Sequence, residues 1–229
     1  MLQLFISHAR ADIVWLLGAR AAYLGVAAAI LVTGCGSSDR TASTTTGRGT
    51  STSTAAAGGS APSAIQRRVL TSNELAGFKP AGMSVYKTVS SWISAEQVPP
   101  DQATAETAML RRNGFRLGAH EDLMGSGTGG ASIVQQFRSP AAARDAHAFY
   151  VSQYKAPEAR AVGGAYAPFK VSGIPGAVGF SRGGVNGGGI NVTFADGAYY
   201  YLVGQEGGSA TAVAHLAAAA RHLYHRVHG

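Results

Sequence analysis

Cysteine is all but absent from this chain. Cys35 is the only one, so no disulfide can form within the molecule. The stretch from Val69 onward has to be held by its core, and it is long enough to bury one without disulfides or metals. Basic residues are scarce there too. The whole chain carries a net charge of +7, but from Val69 onward 13 Lys plus Arg face 10 Asp plus Glu. No run of basic residues is interleaved with aromatics, which argues against a nucleic-acid partner. No G-x-S-x-G motif marks a serine nucleophile. Glu121 and Asp122 are adjacent carboxylates, so on a strand they point to opposite faces and cannot work as a pair.

The N-terminal third is unlike the rest. Arg20 closes a positively charged segment, and Ala21 to Val32 forms an apolar run of a dozen residues. That suits a signal peptide and falls short of the roughly 20 residues of a spanning helix. A competing reading extends the run back to Ile13, with Arg20 tolerated inside it, as an uncleaved transmembrane anchor. Long as it is, and carrying His8 and Asp12, the first segment also allows translation to start further in, for example at Val14. The run leads into Leu31-Val32-Thr33-Gly34-Cys35, sharing its first two residues. This string resembles the lipobox of bacterial lipoprotein precursors. The resemblance implies cleavage between Gly34 and Cys35 and a diacylglyceryl group on the Cys35 sulfur. Each buried methylene contributes about 0.8 kcal/mol, so two acyl chains make a stable anchor where one is marginal. The implied location is the extracytoplasmic face of the cell membrane.

Residues 35–68 follow as a linker of Ser, Thr, Ala and Gly, with Thr41-Ala42-Ser43-Thr44-Thr45-Thr46 typical of it. It has no aromatic residue and no apolar periodicity, and so cannot offset the entropy of ordering. It reads as a disordered tether between the anchor and a domain at 69–229.

Within that domain, Asp101–Arg112 predicts a helix with Ala105, Ala108, Met109 and Arg112 along one side. Phe115–Leu123 and Ala131–Phe137 read as strands. In the second, Ala131, Ile133 and Phe137 face one way, while Ser132, Gln136 and Arg138 mostly face the other. Ser139-Pro140 starts a helix to about Lys155, with Ser as cap and Pro in the first turn. Ala142, Ala146, Phe149, Tyr150 and Gln153 form its inward stripe. Asp196-Gly197 predicts a two-residue hairpin turn pairing Phe194 with Tyr199, Val192 with Tyr201 and Ile190 with Val203. Ser209–His228 closes the chain as a helix with Val213, Leu216, Ala220 and Leu223 inward. Helices alternating with hairpins imply an α+β fold, an antiparallel sheet packed with helices.

The segments Leu70–Phe78, Phe137–Arg144, Ile174–Phe180 and Val192–Tyr199 resemble those of small actinobacterial-type envelope lipoproteins of unknown function. Some of these are similar to a PsbP/Mog1-like α/β/α sandwich. That resemblance implies a fold and no chemistry.

The remaining motifs carry little chemistry. Gly125-Ser126-Gly127-Thr128-Gly129-Gly130 matches G-x-G-x-x-G, but a strand pattern follows where a dinucleotide fingerprint must open a helix, so no cofactor is implied. His222, His225 and His228 spiral round a helix without converging, and no metal site is expected. Asn191-Val192-Thr193 is a sequon by chance. The hairpin's second face, made of Tyr200, Leu202, Thr193 and Asn191, is of intermediate polarity. Either a helix covers it, Ser139–Lys155 or Ser209–His228, or it is open to a ligand or partner with Tyr200 as the anchor. A layered sandwich favours the helix.

The function that fits is a lipid-anchored, non-catalytic binding or accessory module for another envelope protein or an apolar small molecule. The alternatives are a structural lipoprotein without a ligand and an envelope hydrolase. A cavity between sheet and helix separates the first from the second, and convergent carboxylates would point to the third.

Overall fold

The computed structural model describes Ser63–Gly229 apart from residues 72, 97, 99, 157–165 and 185–186. The leader, Gly34, Cys35 and the Ser/Thr-rich segment to Pro62 lie outside the described residues.

Seven strands are described: β1 (Lys79–Tyr86), β2 (Leu117–Met124), β3 (Gly129–Gln136), β4 (Tyr166–Phe169), β5 (Val178–Gly184), β6 (Gly187–Asp196) and β7 (Tyr199–Glu206). They form one sheet in the order β1-β2-β3-β7-β6-β5-β4, and every neighbouring pair is antiparallel. Four α-helices pack on it: α1 (Val89–Ala95), α2 (Pro100–Arg112), α3 (Pro140–Lys155) and α4 (Ala210–His228). The fold is α+β.

Helices cover both faces of the central strands. Ile190, Val192, Phe194, Tyr201 and Val203 pack with Leu216, Ala220 and Leu223 of α4. On the other face Ile133, Phe180, Tyr200 and Leu202 pack with Trp92 of α1, Met109 and Leu110 of α2, and Ala142, Ala146 and Tyr150 of α3. The alternation along β6 and β7 sorts residues between the two layers, as the period of two requires.

On the α4 side a further segment, Ile65–Phe78, crosses the sheet before β1. Its Ile65, Val69, Leu70, Leu75 and Phe78 are buried, so the packed chain begins a few residues before Val69. Arg226 of α4 clamps it by donating to the carbonyls of Arg67 and Val69 and to the Glu74 carboxylate, with Nε–Oε1 at 2.8 Å. Arg68 reaches across to the Tyr201 hydroxyl at 2.6 Å and lies over the Tyr199 ring. The Leu70 N–H donates to Ser132 Oγ at 2.9 Å.

Three sequence expectations are corrected. First, the hairpin turn centres on Gly197-Ala198, with Asp196 opposite Tyr199, Phe194 opposite Tyr201, Thr193 opposite Leu202 and Asn191 opposite Gly204. Gly197 has φ +52° in the first central position, and the Ala198 carbonyl accepts from the Phe137 N–H. The pairing slips by two residues from the predicted one. Since two is the side-chain period, both faces keep their members. Second, Ser132 on the expected polar side of β3 is fully buried, because the strap covers that face. Third, the buried side of α2 is Met109, Leu110 and, just after the helix, Asn113, while Ala105, Ala108 and Arg112 are exposed. Polar residues, Glu106 and Asn113, hold two positions of the true stripe and hid it.

α3 starts as its sequence implies. Ser139 Oγ accepts from the Ala142 N–H and Pro140 occupies the first turn.

Candidate functional site

The α1–α3 side of the sheet contains a cleft. The space in it open to the centre of a water-sized sphere is about 30 Å³. Trp92 and Glu96 come from α1 and its C-cap, Gln102 and Glu106 from α2, and Phe149, Tyr150 and Gln153 from α3. The sheet supplies Ile133 and Gln135 from β3 and Tyr200 and Leu202 from β7.

Each wall has a local cause. Thr88 and Ser91 form a reciprocal capping box that fixes the short α1. Trp92 then packs against Gly118 of β2, where a Cβ would stand 2.4 Å from Cε3 of the indole. Only glycine lets the ring approach that closely. Tyr86 and Phe115 flank it, at 5.5 and 6.0 Å between ring centroids. On the other side Tyr150 stacks on Tyr200 at 4.8 Å.

A polar relay runs along the cleft. Gln135 Nε2 donates to the Tyr150 hydroxyl at 2.9 Å, and Tyr150 donates to Glu106 Oε1 at 2.7 Å. Trp92 Nε1 donates to the same oxygen at 3.3 Å. Burial pushes the Glu106 carboxyl above its ordinary range. The two donors oppose that rise without cancelling it, and the nearby Glu96 adds to it. Burial also lifts the Tyr150 and Tyr200 phenols, so both stay protonated donors.

Beside the cleft, His120 of β2 sits between two carboxylates. Its Nδ1 is 2.8 Å from Glu96 Oε1 and its Nε2 is 3.3 Å from Asp122 Oδ1. Burial works against its charge, but Asp122 and Glu96 outweigh burial and raise the imidazole to about 10. His120 is therefore a cation at neutral pH, compensating Glu96.

The four residues singled out from the sequence are all buried: Tyr200 is 2% exposed, Leu202 3%, Thr193 0% and Asn191 1%. α3 covers them, with His147 bonded to Thr193 Oγ1 at 3.0 Å. Tyr200 and Leu202 also form part of the cleft wall, while Thr193 and Asn191 do not. Burial of Asn191 in a central strand removes it from any glycosylating enzyme. Trp92, Glu96, Glu106 and Gln135 were not picked out from sequence. Thr88-x-x-Ser91 ahead of Trp92 was the one local signal available.

The Gly125–Gly130 motif joins β2 to β3, and no helix opens on it. His222, His225 and His228 lie on the exposed side of α4, where His228 Nδ1 meets Asp196 Oδ1 at 2.8 Å. Among the described residues no group of three or more His, Cys, Asp or Glu is placed to hold a metal. No helix among them is long and apolar enough to cross a membrane.

No protein-family model matches the chain, and no curated protein matches it. Among solved structures it is similar to the extracellular domain of PknH from Mycobacterium tuberculosis. The identity is 14% and the TM-score 0.47, over 72% of this chain and 97% of that one.

Proposed function

We propose that this protein is a lipid-anchored, extracytoplasmic binding module whose ligand enters the cleft between the sheet and α1–α3. The observation that carries the binding half is the cleft itself: an apolar, aromatic-rich recess with a few convergent polar groups, which is the usual make-up of a small-molecule site. The anchoring half rests on Val32-Thr33-Gly34-Cys35. Tethered this way, the domain meets its ligand, an apolar small molecule or part of an envelope protein, outside the membrane.

A hydrolase reading draws on Glu96 and Glu106, two carboxyls lining one cleft. Glu96 is 3% exposed and already paired with His120. Its charge is engaged by the imidazolium, which weighs against a role as general base.

Two measurements test the proposal. Mass spectrometry of membrane-extracted protein is expected to find an N-terminal Cys35 bearing a diacylglyceryl thioether, and Cys35→Ala is expected to abolish it. Retention of Met1–Gly34 in the main species would replace the lipid anchor with a transmembrane one. The neutral fluorophore N-phenyl-1-naphthylamine is expected to brighten on the wild-type protein. Gln153→Trp, which fills the cleft from its partly exposed rim, should remove that signal without lowering the thermal midpoint. Equal fluorescence in both proteins would refute the cleft as the site.

A further inference from the structure

We propose that the cleft selects a protonated organic amine, with the ammonium on Glu106 and the apolar part against Trp92, Phe149 and Tyr150. This rests on the reading of the cleft as a binding site and names the class of its ligand.

The charges lining the cleft are of one sign. Glu96 and Glu106 contribute carboxyls, and among the described residues no Lys or Arg lines it. Glu96 has its counter-ion in His120, 2.8 Å away. Glu106 has none. Its donors are an indole N–H and a phenol O–H, both neutral and both on Oε1, so Oε2 takes no donor among the described residues. A neutral apolar ligand would bury this carboxyl further without compensation, and an anion would be repelled.

The hydrogen-bonding inventory points the same way. Gln135, 1% exposed, spends its Nε2 on Tyr150 and leaves Oε1 without a donor. Glu96 Oε2 also has none. The wall is thus short of donors, and a ligand has to bring them. An ammonium carries three. The ring faces of Trp92 and Tyr150 carry negative potential and attract a cation close to them.

The test compares three probes of matched size by calorimetry on the full-length protein at neutral pH: phenethylammonium, 2-phenylethanol and phenylacetate. The amine is expected to bind at least about tenfold more tightly than the alcohol, with the carboxylate weakest. Glu106→Gln keeps an acceptor for Tyr150 and Trp92 but removes the charge. It should erase the amine's advantage by weakening the amine, while the alcohol and N-phenyl-1-naphthylamine still bind and bind somewhat more tightly, because the uncompensated charge is gone. Glu106→Asp should retain part of the preference. Equal wild-type affinities for amine and alcohol would overturn the proposal even if Glu106→Gln proved too unstable to assay, as would an unaltered preference in a folded Glu106→Gln. If the fluorophore binds and the amine shows no advantage, only the charge assignment falls. If neither binds, the binding reading falls with it.

Discussion

Tyr200 shows how much a residue's neighbours decide. Read along the strand, it is an amphipathic side chain on a face of mixed polarity, suited equally to a core and to a contact surface. In the fold its ring stacks on Tyr150, and its buried hydroxyl lies near that of Tyr154 without a hydrogen bond of good geometry. These two facts separate two substitutions. Tyr200→Ala empties a fully packed site and is expected to cost about 3–5 kcal/mol in chemical denaturation. Tyr200→Phe removes only a hydroxyl poorly paired with Tyr154 and is expected to change stability by less than about 1 kcal/mol. The sequence carried enough to assign Tyr200 and Leu202 to one face, because alternation is local. It could not place Glu106, a charged residue on the buried side of an otherwise ordinary helix. What makes Glu106 important is the indole of Trp92 and the phenol of Tyr150, which come from helices 14 and 44 residues away in the chain.

Among the elements, long periodic helices were the most legible. α3 and α4 fall where their apolar spacing and the Ser139-Pro140 start imply, because cap and stripe are written within a few residues of each other. The short α1 was missed: seven residues hold too few turns for a period to show. The β6–β7 turn was recognised but its centre was misplaced, since Asp-Gly is usual at both central positions and here Asp196 instead pairs with Tyr199. Gly197 has φ +52° and Gly127, in the β2–β3 turn, has φ +80°, with open space around each Cβ position. A Val at either site is strained by its backbone alone. Gly197→Val and Gly127→Val are therefore both expected to lower the thermal midpoint, each costing about 1–2 kcal/mol. Gly183, with no positive φ and equally open surroundings, should accept Ala with little change.

A second element-level consequence concerns the tie between α1 and β2. His120 has its folded pKa raised to about 10 from an ordinary 6.5. Its contribution to stability is present in full below about 6.5 and is lost as the pH climbs through about 10. The wild-type thermal midpoint is therefore expected to fall more steeply over that window than that of His120→Gln. Parallel profiles would show that the two carboxylates do not hold the imidazolium.

At the scale of the whole molecule, the fold class was legible and the double covering of the sheet only partly so. Helix–hairpin alternation implies α+β, and a face of intermediate polarity implies some cover. The covering of the other face by both α4 and the Ile65–Phe78 strap depends on contacts such as Arg226 with Arg67 and Val69, more than 150 positions apart in sequence. Local pattern carries no trace of them. Starting the chain at Val69 removes buried Ile65 and both contacts of Arg68 with Tyr199 and Tyr201. Such a protein is expected to melt about 5 °C or more below one starting at Ser63, from the side chain's burial alone.

The strap also decides how the molecule bears a load. A pull arriving along the backbone at Ser63 meets the Arg226 clamp and the Leu70–Ser132 hydrogen bond first, and then the edge strand β1. The cleft lies on the opposite face, walled by side chains from α1–α3, β3 and β7. Tension on the N-terminal side is spent on one layer of the sandwich before it reaches the other. On the proposed anchoring, the strap would work as a strain relief, like the grip where a cable enters a plug, so that a tug from the N-terminal side is not felt at the socket.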